Sequence, residues 1–97
     1  MGSGLPHPAA FKTLAREVAA DNVTVNSLLP GRIATDRTLE TSGSLEEAQR
    51  RAQEQIPAGR LGTVEEFAAV AAFLCSQPAA YVTGAAVSVD GGLTHSV

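Results

Sequence analysis

A strand-like stretch with an abrupt stop constrains this chain more than any other feature. From Val23 the residues alternate apolar and polar through Val25 and into Leu28-Leu29, and Pro30-Gly31 ends the pattern. Period-two alternation is the mark of a strand. Proline has no N–H to give a central ladder, and glycine lets main chain turn or approach another group closely. Polar Thr35 and Asp36 lie just beyond. An open α/β sheet presents its ligand-facing carboxyl end in this way. The next strand-like run, Ala85–Val89 followed by Asp90-Gly91-Gly92, comes only after two helical patterns. A connection that long joins parallel strands, not a hairpin.

The segments between have legible ends. Phe11, Leu14, Ala15 and Val18 fall at i, i+3, i+4 and i+7, one stripe of an amphipathic helix over Ala9–Ala20. Asp21-Asn22 ends it, because asparagine tolerates the left-handed conformation of a helix C-terminus. The Val23–Leu29 strand follows at once. After Asp36, residues 38–43 read as a polar stretch, and Thr35 as a cap of the turn or of a following helix. Ser44 with Glu47, and Thr63 with Glu66, are two capping-box signatures. The first opens a polar, lid-like helix to about Gln55, which Ile56-Pro57 terminates. Its Glu46-Glu47-Arg50-Arg51 cluster reads as a solvated face with i, i+4 pairs. The second opens a helix to about Ser76 bearing Val64, Phe67, Ala68, Val70, Ala71, Phe73 and Leu74. So much apolar surface predicts burial on two sides. The expected architecture is α/β, in the order helix, strand, lid helix, helix, strand, about the second half of a doubly wound sheet. Residues 1–8 read as a flexible lead-in or cloning scar, and residues 9–97 as one partial domain.

Bulk properties exclude several functions. With 7 basic and 10 acidic residues the net charge is −3, and no basic, aromatic-interleaved patch supports nucleic-acid binding. No apolar run nears the roughly 20 residues of a membrane span. The single Cys75 excludes an internal disulfide and fits a reducing, cytoplasmic setting. In an apolar helix it reads as a small core residue. His7 and His95 lack ligand-like spacing, so no metal site is expected. Ser27, His95 and Asp90 do not make a hydrolase triad, because no Gly-x-Ser-x-Gly elbow surrounds Ser27.

Four stretches carry a family resemblance: Leu14-Ala-Arg-Glu17 with Val25-Asn26; Pro30-Gly31 leading to Ile33 and Thr35; Ile56-Pro-Ala-Gly-Arg-Leu-Gly62 with Glu65-Glu66; and Tyr81-Val-Thr-Gly84 leading to Val89-Asp-Gly-Gly92. In this order and spacing the chain, from Ala9 to Leu93, resembles the C-terminal part of the short-chain dehydrogenase/reductase family. The 3-oxoacyl-carrier-protein reductase type is nearest in flavour. The resemblance implies the C-terminal portion of a Rossmann-type doubly wound parallel sheet. It also implies hydride transfer between NAD or NADP and a carbonyl or alcohol. The cofactor-binding residues it implies are Pro30, Gly31, Ile33 and Thr35. Main-chain groups around Ile33 would meet the carboxamide, and the Thr35 hydroxyl would hold the carboxamide or pyrophosphate. Residues 37–56 would form the substrate lid. The last helix and strand would form a subunit interface, with Tyr81 packed at a corner or interface.

The same resemblance sets limits. The family's phosphate-binding glycine loop has no counterpart here, and its Tyr-x-x-x-Lys pair would place the lysine at Gly4 and the tyrosine before Met1. No catalytic residue is therefore expected, and the chain alone is predicted inactive, with a missing N-terminal half as one partner. Binding of NAD or NADP by this chain alone is not expected to be strong. Two alternatives stand beside this reading. One is a non-catalytic interaction module, homo-oligomeric through the open edge of the Val23–Leu29 strand or through the last helix and strand. The other is an engineered fragment.

Overall fold

The computed structural model describes residues 8–94. The elements are α1 (Pro8–Val18), β1 (Ser27–Pro30), α2 (Asp36–Ser42), α3 (Leu45–Gln55), α4 (Val64–Leu74) and β2 (Ala86–Val89). The lead-in lies outside the described residues except for Pro8, which is the first residue of α1, where a missing N–H costs nothing. His7 and His95 lie outside them as well.

The two strands pair in parallel, with Ser27 opposite Ala86 and Pro30 opposite Val89. α1 ends in a 3₁₀ turn over Ala19–Asp21, and Asn22 caps it at φ 62°, the left-handed conformation expected of it. The strand is shorter than the alternation implied and starts at Ser27, not Val23. Side chains do the pairing upstream. Thr83 Oγ1 accepts from the Val25 N–H at 3.0 Å. The Asn26 carboxamide donates to Val82 O at 3.0 Å and accepts from the Ala85 N–H at 3.0 Å. An amide side chain thus stands in for one rung of the ladder.

Alternation along β1 decides what its other edge offers. Ser27 and Gly31 donate to Ala85 O and Val89 O at 2.9 and 3.0 Å, so these residues face β2. Leu28 and Pro30 face the opposite edge, and Pro30 has no N–H to give there.

Beyond the turn, the polar stretch at residues 38–43, for which no helix was expected, is mostly helix. Thr35 starts α2 by accepting the Thr38 N–H at 3.3 Å. In α3, Ser44 Oγ accepts the Glu47 N–H at 3.1 Å, but the Glu47 carboxylate is drawn to Arg50 and Arg51, so that box is half made. In α4 the box is complete: Glu66 N–H donates to Thr63 Oγ1 at 3.0 Å and Thr63 N–H to Glu66 Oε1 at 2.9 Å.

The core is small. Ala48, Ala52, Ile56 and Leu61 cluster, with Ala34 and Leu93 against them, so α3 is anchored through two alanines. Ala15 and Ala79 are buried elsewhere. The expectation that α4 is buried on two sides fails. None of its residues is buried, and Val64 and Phe73 are each 50% exposed. Two short strands cannot cover a helix that is apolar around so much of its surface. Cys75, expected in a core, is exposed for the same reason. Leu14 on the α1 stripe is also half exposed, and Tyr81 projects fully into solvent.

Three outcomes follow. Gly31→Ala would place a Cβ 2.5 Å from the Asp90 Cβ, so urea unfolding should show a loss of roughly 1–3 kcal/mol from overpacking. Ile56→Ala, which empties the middle of the core, should cost roughly 2–5 kcal/mol. Glu66 is held from its ordinary 4.5 down to about 2, first by the Arg60 hydrogen bond and then by the Thr63 N–H. Its folded value lies below its unfolded one, so its stabilisation is complete above the unfolded value and drains away as pH falls from about 5 towards 2. Unfolding midpoints measured between pH 7 and 2.5 should fall slightly less for Glu66→Gln than for the parent, the difference being small because both ends of the pair are about half exposed. Equal acid losses in both proteins would contradict this assignment.

Candidate functional site

Pro30, Gly31, Ile33 and Thr35 come together. All four line one open cleft of about 320 Å³, with Thr38, Val64 and Phe67 completing it. That volume lies at the lower end of small-molecule sites, roughly 300–1,000 Å³.

Each residue is placed by a different device. Pro30 closes β1. Gly31 carries the chain past β2 so closely that no side chain could stand there, since a Cβ would also lie 2.7 Å from the Asp90 Cα. Asp90 is fixed in turn. Its carboxylate accepts the Gly92 and Thr94 N–H groups, each at 3.0 Å. The Thr94 side chain, then these main-chain donors, hold the Asp90 carboxyl below its usual range. The glycines that follow pack on the segment before α4. A Cβ on Gly91 would meet Ile56 Cγ2 at 3.0 Å, and one on Gly92 would meet Pro57 Cβ at 3.2 Å. The Ala58 N–H donates to Gly91 O at 3.0 Å. The Pro30-Gly31 turn, the Asp90-Gly91-Gly92 turn and residues 56–58 therefore brace one another.

Ile33 sits in a parallel bridge with Gly62. Gly62 N–H donates to Arg32 O at 3.0 Å, and Ala34 N–H donates to Gly62 O at 2.9 Å. Gly62 thus bonds both neighbours of Ile33, which turns the N–H and carbonyl of Ile33 itself away from Gly62. The carbonyl accepts the Thr35 N–H at 2.8 Å and keeps a second lone pair, and the N–H has no backbone partner among the described residues. One residue therefore presents a free donor beside an acceptor. Thr35 has an exposed hydroxyl 3.1 Å from that of Thr38, and either can donate.

A nicotinamide carboxamide suits this arrangement, because it needs one acceptor and one donor side by side. Its volume is that of a ring with a small substituent, not of a whole dinucleotide. Among the described residues no three or more His, Cys, Asp or Glu side chains gather as metal ligands, and no helix is long and apolar enough to cross a membrane.

Val64, Phe67, Thr38 and Gly62 were not singled out as site residues from the sequence. The capping box did put Val64 and Phe67 on the apolar stripe of α4. Nothing local said that the first turn of this stripe faces Pro30. The larger cavity of about 980 Å³, lined by Asn22, Thr24, Cys75, Tyr81 and Thr83 among others, lies away from the four candidate residues.

Comparison with known proteins identifies the family. The family model described as enoyl-(acyl carrier protein) reductase matches residues 8–94. The 3-oxoacyl-[acyl-carrier-protein] reductase FabG of Pseudomonas aeruginosa is 55% identical over 86 residues, covering 88% of this chain and 33% of that protein. The NADPH-dependent reductase BacG of Bacillus subtilis is 42% identical over 96 residues, covering 91% and 37%. The crystal structure of YwfH, an NADPH-dependent reductase involved in bacilysin biosynthesis, superposes with a TM-score of 0.83 at 40% identity, covering 93% of this chain and 37% of that one. The chain spans about a third of the length of these relatives. The α/β arrangement is thus a portion of a Rossmann-type sheet, and with its family match running from one end of the described residues to the other, the chain belongs to the short-chain dehydrogenase/reductase family.

Proposed function

We propose that this chain supplies the nicotinamide-side wall of an NAD(P)-dependent reductase site, in a protein that transfers hydride between nicotinamide and a carbonyl or alcohol. The observation that carries the reading is the single cleft shared by Pro30, Gly31, Ile33 and Thr35, with the free Ile33 N–H beside an acceptor. The names of its relatives support it, since two are described as NADPH-dependent reductases.

When bound, the nicotinamide supplies the hydride. The residues of this chain bind and orient. Ile33 takes the carboxamide through its main chain, and the Pro30-Gly31 turn walls one side of the ring. Val64 and Phe67 keep water from the other side, and Thr35 adds a hydroxyl at the rim. α2 and α3 form the lid.

The 97 residues hold one tyrosine, Tyr81, and one lysine, Lys12. Tyr81 is fully exposed beyond α4, and Lys12 Nζ donates to Gly84 O at 2.8 Å. Neither lines the cleft. We therefore propose that this polypeptide alone orients nicotinamide weakly and does not turn over substrate, for want of an acid–base pair.

A second reading, an assembling module, is favoured by α4, an apolar helix with no buried residue. Phe73 on α4, 50% exposed and outside the cleft, and the β1 edge at Leu28 are surfaces that a further chain would cover. The two readings are compatible.

Titration with NADH and NADPH, followed by amide NMR, should move resonances within Pro30–Thr35 and the first turn of α4 at about millimolar ligand, while a carbonyl-reduction assay stays at background. Shifts scattered over α1 and β2 instead, or steady NAD(P)H consumption, would sink the respective half of the proposal. Sedimentation should show self-association that Phe73→Asp weakens. A well-folded monomer at high concentration would remove the assembling role.

A further inference from the structure

Two cavities meet at Ile33. One is the candidate cleft. The other, about 200 Å³, is lined by Arg32, Arg60, Glu66 and Asp90 among others. It contains the single ion pair, among the described residues, that lies outside α3. Arg60 Nη1 donates to Glu66 Oε1 and Nη2 to Glu66 Oε2, both at 2.8 Å, a two-pronged fork. Arg60 Nη1 also reaches Leu61 O at 3.1 Å. Glu66 Oε1 accepts the Thr63 N–H as well. Residues 60 and 63 therefore bond one carboxylate, Leu61 O bonds the guanidinium that holds it, and Gly62 lies between them in sequence.

Gly62 has no side chain to locate itself by, and a Cβ there would crowd Ile33 Cδ1 at 3.0 Å. Its position is set by what lies on either side. Yet Gly62 makes the two hydrogen bonds that orient Ile33. Both ends of the ion pair are about half exposed, 60% for Arg60 and 47% for Glu66. Such a pair adds little to global stability. A bidentate fork does fix relative orientation.

We propose that Arg60 and Glu66 are positioning residues for the Ile33 main chain. The fork closes residues 60–66 into a rigid loop that holds Gly62 in register with Ile33, and so sets the donor and acceptor offered to the carboxamide. The last step rests on the nicotinamide reading above. The positioning itself does not, and the two are separable by experiment.

Glu66→Gln keeps a side-chain oxygen for the Thr63 N–H while removing the charged fork. Arg60→Lys keeps the charge and loses the fork. In the ligand-free chain, amide hydrogen exchange at Gly62 and Ala34 should quicken in both variants by roughly two- to fivefold, the size of an exposed pair. Exchange at Ser27 and Gly31, in the β1–β2 ladder, should not change. Equal acceleration at all four amides would mean a merely structural role and overturn the proposal, as would no acceleration at Gly62 and Ala34. NADH titration of the same samples supplies the second readout. The Ile33 amide shift should shrink and the apparent Kd rise by a similar factor in both variants. If the parent responds to NADH and the variants respond identically, the positioning claim fails and the nicotinamide reading survives. If the parent shows no response, the nicotinamide reading fails, and the exchange pattern alone decides whether the fork positions Ile33.

Discussion

Close approach of main chain to main chain governs this molecule. At Gly31 the turn after β1 lies against Asp90 with no room for a Cβ. At Gly62 a second segment comes alongside Ile33 through two hydrogen bonds. Gly91 and Gly92 press against Ile56, Ala58 and Pro57. Hydrogen bonds between bare backbones have strict geometry. These contacts therefore fix the relative placement of segments far apart in sequence more tightly than an apolar interface of small side chains could. The candidate cleft is what remains between the segments once they are fixed.

This placement explains why the site is built largely from main chain. Half of the buried cluster is alanine, with Ile56 and Leu61 its larger members. It anchors α3 but leaves α1 and α4 with apolar surface facing outward. The chain spans about a third of the length of its relatives. What the chain does hold by itself is the set of joints at the carboxyl ends of its two strands.

Local rules were legible where the chemistry is local. Asn22 caps α1 in the left-handed conformation, Thr63 and Glu66 form a reciprocal cap, and Pro57 follows the end of α3. Each depends on residues within a few positions of one another. The parallel pairing of β1 with β2 was legible too, because the length of the connection leaves little choice. The upstream limit of β1 was not. Alternation from Val23 cannot reveal that Asn26 will spend its carboxamide on Val82 and Ala85, residues that only the fold brings near. The helix at Asp36–Ser42 was missed because a polar stretch carries no stripe, and its start depends on a threonine cap that also serves as a turn residue.

The order of residues settled which backbone could do what: where proline withholds a donor, where glycine permits contact, where a hydroxyl and a carboxylate three apart start a helix. The family resemblance it carries implied Pro30, Gly31, Ile33 and Thr35 as a group, and the four do line one cleft. Tertiary structure alone decided that Val64 and Phe67 would face them, that Asp90 would fill the space Gly31 leaves, and that Gly62 would turn the Ile33 N–H free. Burial of α4 was decided there as well, against its composition. An apolar stripe records a helix's capacity to be covered, and only the presence of a neighbouring surface covers it.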